Sequence, residues 1–176
     1  MTLNFNIGTQ TNSYNGTKKI LVAYFSHSGN TKAVAEQISK ATGGDILRIE
    51  PLAAYPKEYN QLVGQAKKKV ESGYKPPIKK NAGNILAYDI IFVGSPSWWS
   101  TIAPPVATFL SGHDLAGKTI IPFMTHEGSR MGRAEADIKK ICPGSTVLQG
   151  LPVRGSSAAN SQNEIKQWLQ SIKIIK

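Results

Sequence analysis

Five short apolar runs, separated by segments of helical periodicity, limit this chain to a narrow set of folds. Ile20–Phe25, Asp45–Glu50, Asp89–Gly94, Lys118–Met124 and Thr146–Leu151 read as strands. Between them the spacing predicts helices over Thr31–Thr42, Lys57–Ser72, Pro104–Ser111 and Gly132–Ile141. Strand and helix in alternation argue for βαβ units around a parallel sheet. The third run is almost wholly apolar, as a strand covered on both faces requires. Gly43-Gly44 ends the first helix, and Pro51 stops the second strand. Gly73–Gly83, with Pro76-Pro77 inside it, is a linking loop. The last helix is the best marked: Ser161 and Glu164 have capping-box spacing, and Ile165, Trp168, Leu169 and Ile172 form one stripe. The expected architecture is α/β: a three-layer, doubly wound, five-stranded parallel sheet, in a single domain over residues 19–176.

Charge raises a question that its distribution answers. The formal net charge is +10, from 21 basic and 11 acidic residues. Lys18-Lys19, Lys67-Lys68-Lys69, Lys79-Lys80 and Lys139-Lys140 are scattered, and no nucleic-acid motif accompanies them. Lys67 and Lys68 lie opposite a helical stripe of Tyr59, Leu62, Val63, Ala66 and Val70, which places them on a solvated face. No stretch approaches the ~18 apolar residues of a membrane span. Residues 1–18 are a polar arm without the apolar centre of a signal peptide, so a flexible arm and a cytoplasmic location are expected. A secreted form with its signal removed stays open, and only there would the Asn15-Gly16-Thr17 sequon matter. The single cysteine, Cys142, excludes an intrachain disulfide and a cysteine-based zinc site; a half-buried structural thiol is expected.

Chemistry gathers where ligands bind in such sheets, beyond the carboxyl ends of the strands. After the first strand comes Ser26-His27-Ser28-Gly29-Asn30-Thr31, directly before a helix. Free N–H groups at that helix start attract an anion; Ser26, Ser28 and Thr31 add hydroxyls, and Gly29 admits a close approach. After the third strand comes Ser95-Pro96-Ser97-Trp98-Trp99, and after the fourth Thr125-His126-Glu127-Gly128-Ser129. Neighbouring tryptophans on extended chain face opposite ways, which leaves one for a planar ring. Gly112-His113-Asp114-Leu115-Ala116-Gly117-Lys118-Thr119 spells a Walker A loop, yet it follows a helix and enters a strand. It lacks the helix start that such a loop needs, so a turn is expected there and His113 is placed at the surface.

The first strand with its Ser-x-Ser-Gly-Asn-Thr loop resembles the flavodoxin fingerprint. The two later loops look like the flavin-ring loops of a flavodoxin-like bacterial subfamily, and the resemblance runs from about Lys18 to Ile172. It implies the flavodoxin sheet order, 2-1-3-4-5, and it implies FMN. Ser26, His27, Ser28, Gly29, Asn30 and Thr31 would hold the phosphate. Ser95, Pro96, Ser97, Trp98 and Trp99 would flank the ring, with Trp98 favoured for stacking. Thr125, His126, Glu127, Gly128 and Ser129 would approach its pyrimidine end.

Three functions fit these residues: an FMN electron carrier between protein partners, an FMN-dependent NAD(P)H:quinone-type oxidoreductase, and a basic binding protein without functional flavin. The basic balance departs from acidic flavodoxins and disfavours docking to positively charged reductases. It also predicts a less negative reduced-state potential, suited to a small quinone-like acceptor. The lack of a nicotinamide motif favours the carrier. A homodimer covering the tryptophan pair is a further expectation.

Overall fold

The computed structural model describes residues 18–81 and 83–176; the expected N-terminal arm, apart from Lys18, lies outside the described residues. In chain order the elements are β1 (Ile20–Tyr24), α1 (Asn30–Thr42), β2 (Asp45–Arg48), α2 (Tyr59–Glu71), β3 (Ile90–Pro96), α3 (Pro104–Ser111), β4 (Thr119–His126), α4 (Ala134–Ile141), β5 (Thr146–Val147), β6 (Leu151–Arg154) and α5 (Gln162–Ser171). Every strand pair is parallel, and the order is β2-β1-β3-β4-β5.

Period-two alternation divides the core between the two faces of this sheet. Leu21 and Ala23 of β1 pack with Ile91 and Val93 of β3 against Phe109 of α3 and Ile138 of α4. Val22 and Tyr24 point the other way, with Phe92, against Val34 and Ile38 of α1 and Leu169 of α5. Three layers result, with β3 at the centre and buried along nearly its whole length.

The expected fifth strand is broken. β5 pairs with β4 as far as Ile120↔Val147, and pairing resumes as β6 at Phe123↔Leu151. Two residues of β4, Ile121 and Pro122, thus face three, Leu148, Gln149 and Gly150, which is a bulge. Main-chain carbonyls of Lys118 and Ile120 point toward this edge, so Pro122, two residues on, turns its missing N–H to the gap. Glu135 of α4 instead accepts the Gly150 N–H, at 2.8 Å.

β3 and β4 each run two residues further than expected, to Pro96 and His126. Ser97 N–H donates to the Thr125 carbonyl at 2.8 Å, which carries the ladder up to the site. The expected capping box on α5 does not form. Ser161 donates its hydroxyl to the Ser157 carbonyl (2.7 Å), and its N–H is taken by Gln37 of α1 (3.1 Å). Lys118 N–H closes a turn onto the Leu115 carbonyl at 3.0 Å before β4 begins, so the Walker-like letters are a turn. His113 is half-buried rather than exposed, its Nδ1 2.8 Å from the Phe109 carbonyl oxygen. Cys142 is buried at the end of α4, and burial pushes its thiol pKa up.

Candidate functional site

β1, β3 and β4 deliver their three loops to one edge of the sheet. After β1 the chain turns at Gly29, whose N–H donates to Ser26 Oγ at 3.1 Å and whose φ of 100° suits glycine. The first bond of α1 runs from Ala33 N–H to the Gly29 carbonyl, at 3.0 Å. The N–H groups of Asn30, Thr31 and Lys32 precede it, and a helix start of this kind favours an anion. Thr31 is only 1% exposed and its hydroxyl lies 2.7 Å from that of Thr125.

At the end of β3, Ser95 is fully buried; it accepts the Ala103 N–H and donates to the Pro96 carbonyl, each at 2.8 Å. It therefore clasps the loop together and presents nothing to the site. Trp98 and Thr101 form a two-residue hairpin with Trp99 and Ser100 at φ 54° and 61°. The turn sends the two indoles apart. Trp98 packs edge-on to Phe25 (5.5 Å) and Tyr55 (4.8 Å). Trp99 is 45% exposed, and the Lys67 ammonium stands 5.3 Å from its ring centre.

Beyond β4, Ser129 Oγ lies 2.7 Å from Ser97 Oγ and ties the second and third loops. The Nδ1 of His126 is buried without a hydrogen-bond partner. Burial, then the positive charges of Arg130 and Arg154, hold this imidazole below its ordinary pKa. Arg154, at the end of β6, donates to the Glu127 carbonyl at 3.2 Å. Gly155 lies so close to Glu127 and Asn30 that a side chain there would displace both.

These loops enclose one open cavity of about 510 Å³. His27, Ser28 and Asn30 line it at one end; Thr125, His126, Glu127, Gly128 and Ser129 line another side, and Pro96, Ser97, Trp98 and Trp99 a third. Of the residues expected from sequence, Ser26, Gly29, Thr31 and Ser95 stand behind this lining and shape it. Leu62, Val63 and Ala66 of α2 add an apolar wall; the sequence showed them only as part of a helical stripe and did not assign them to the site. Arg154 was missed because the fifth strand was ended at Leu151; following it to its true carboxyl end would have found it. A larger groove, about 650 Å³, runs between α1 and α5, but no strand end feeds it.

The comparisons with known proteins agree with this geometry. A family model described as flavodoxin matches residues 19–172. No curated protein matches the chain. An inferred flavoprotein from Bacteroides eggerthii is 34% identical, covering 89% of this chain and 99% of its own, with a TM-score of 0.79. A second, from Bacteroides uniformis, is 30% identical over 87% of this chain and 98% of its own, with a TM-score of 0.78. A Lactobacillus acidophilus flavoprotein solved in complex with FMN shares the fold at 24% identity, covering 84% of this chain and 99% of its own, with a TM-score of 0.68. With the sheet order, the glycine turn into α1 and a family match along nearly the whole described chain, this protein belongs to the flavodoxin family.

Proposed function

We propose that this chain binds FMN in the cavity at the carboxyl ends of β1, β3 and β4, and uses it to transfer electrons. One observation carries this: a single cavity joins the start of α1 to an exposed indole and an apolar helix wall. An anion suits one end and a flat ring the other. The residues fit the group. The α1 N–H groups, with Ser28 and Asn30, would hold the phosphate. Trp99 and the Leu62–Ala66 wall would cover the ring, and Trp98, packed on Phe25 and Tyr55, would buttress the hairpin. His126 has a buried nitrogen without a partner beside this space, available to a polar ring edge. When bound, FMN supplies the electron-accepting and electron-donating chemistry; the protein contributes binding, orientation and electrostatics.

Among the described residues no helix is long and apolar enough to cross a membrane, and a cytoplasmic carrier is the favoured form of this proposal. A second function, NAD(P)H-dependent reduction of a small quinone-like acceptor, is favoured by the cations near the cavity: Lys67 over Trp99, and Arg130 and Arg154 beside His126. An anionic donor or acceptor would be drawn to them.

Purified protein is expected to be yellow and to release FMN on heating. Colourless protein that takes up no added FMN would overturn the proposal. Steady oxidation of NADH or NADPH with a quinone separates the enzyme from the carrier, which shows none.

A further inference from the structure

Thr125 lies at the carboxyl end of β4, among the residues that the resemblance assigns to the pyrimidine end of a flavin. Its hydroxyl points elsewhere. Thr125 Oγ1 is 2.7 Å from Thr31 Oγ1, in the first turn of α1. Both residues are buried, at 5% and 1% exposure. A hydroxyl has one proton to give and two acceptor positions. Between two buried hydroxyls, one donates and the other keeps its proton for a further partner. Thr31 N–H precedes the first backbone bond of α1, so this residue sits within the anion-favouring turn.

We propose that Thr125 is a positioning residue for the phosphate end of the site, acting through Thr31, and not a contact to the ring. This rests on the FMN proposal above. The bond ties the first turn of α1 directly to the end of β4, and so links the anion cradle to the edge of the ring cavity, while Val34 and Ile38 hold the rest of the helix on the sheet. Without the Thr125 hydroxyl, Thr31 would carry an unsatisfied buried group and would have to turn for another partner. The N–H groups around it would shift with it. Binding that depends on the phosphate would weaken, and binding that depends on the ring would not.

Riboflavin, which has the ring without the phosphate, separates the two ends. The test measures dissociation constants of apo-protein for FMN and for riboflavin by flavin fluorescence, in wild type, Thr125→Val and Thr125→Ser. The ratio of the two constants is the readout, because a general loss of stability moves both together. Thr125→Val is expected to weaken FMN about tenfold while leaving riboflavin within about twofold, and Thr125→Ser, which keeps the hydroxyl, is expected to retain the wild-type ratio. An unchanged ratio in Thr125→Val overturns the proposal, as does equal loss in Thr125→Ser and Thr125→Val. If Thr125→Val does not fold, Thr31→Val, which removes the other half of the pair, must lower the same preference for FMN, and an unchanged ratio there overturns the proposal too. Wild type that binds neither flavin overturns the FMN proposal itself, a result distinct from every failure of Thr125.

Discussion

Trp98 and Thr101 pair their main-chain groups with each other twice, at 3.0 and 3.2 Å. The two residues between them, Trp99 and Ser100, are thereby held in left-handed backbone. That conformation costs an L-residue about 1–2 kcal/mol, and the neighbouring loop holds it in place. Arg133 N–H donates to the Ser100 carbonyl at 2.8 Å.

Gly132 is what allows that loop to come so near. A Cβ at this position would stand 2.2 Å from the Ser100 carbonyl oxygen, and its φ of 51° is itself left-handed. The contact is backbone and cannot swing aside. Gly132→Ala is expected to destabilise by about 2 kcal/mol or more, measured by urea unfolding, and to change the fluorescence of Trp99. Ser100→Gly, by contrast, relieves strain and is expected to stabilise by about 0.5 kcal/mol.

Gly94 and Phe123 are register partners across β3 and β4. The phenyl ring lies over the glycine, where a Cβ would meet it at 2.2 Å. Gly94→Ala is expected to cost about 3 kcal/mol. Adding Phe123→Leu opens the space again, so the double variant is expected to be more stable than the sum of the single effects. A thermal double-mutant cycle measures the coupling.

Tyr55 is 8% exposed and its hydroxyl is buried without a partner, while burial pushes its pKa up to about 12. Removing that hydroxyl removes an uncompensated polar group and leaves the edge-on contact with Trp98 intact. Tyr55→Phe is therefore expected to raise stability by about 1 kcal/mol, read as a higher midpoint of thermal unfolding. A drop would show that the hydroxyl has a partner in solution.

His126 has a folded pKa below the ordinary 6.5, from burial first and then from Arg130 and Arg154. The unfolded chain therefore binds a proton here before the folded one does. The neutral imidazole contributes stability that is fully present above pH about 6.5 and is lost as pH falls from there toward the folded value. His126→Gln is expected to flatten this part of the stability profile. Arg154→Gln is expected to raise the His126 pKa, followed by NMR titration of the ring protons.

The strands and the three loops were legible because apolar runs alternate with helical spacing and glycine or proline marks most of the run ends; the sheet order followed only from the resemblance carried by the Ser26–Thr31 loop and its two partner loops. The phosphate-type loop was legible because Ser26–Thr31 sat between a strand pattern and a helix pattern. Ser95 shows a physical limit of the sequence: a serine at a strand end looks alike whether it faces a ligand or clasps its own loop, and only the structure shows it held by Ala103 and Pro96. Leu62, Val63 and Ala66 form an ordinary amphipathic stripe, and periodicity cannot say whether a stripe meets core or cavity. The left-handed hairpin at Trp99-Ser100 was invisible, because neither residue favours that backbone and only Thr101, Arg133 and Gly132 together impose it. The break in the fifth strand had a sign in Gly150 and in Pro122 of the facing strand, but only register shows what they do.

That break also bears on how copies of the chain meet. An open sheet offers unpaired main-chain groups along its outer strands, an invitation to edge-to-edge association. Here one outer border consists of β5, two residues long, and β6, four residues long, with the bulge between them. The opposite border is β2, also four residues, with Asp45 and Arg48 at its ends. An incoming strand finds only a short straight ladder on either side, so neither border of the described sheet offers a long template for another chain.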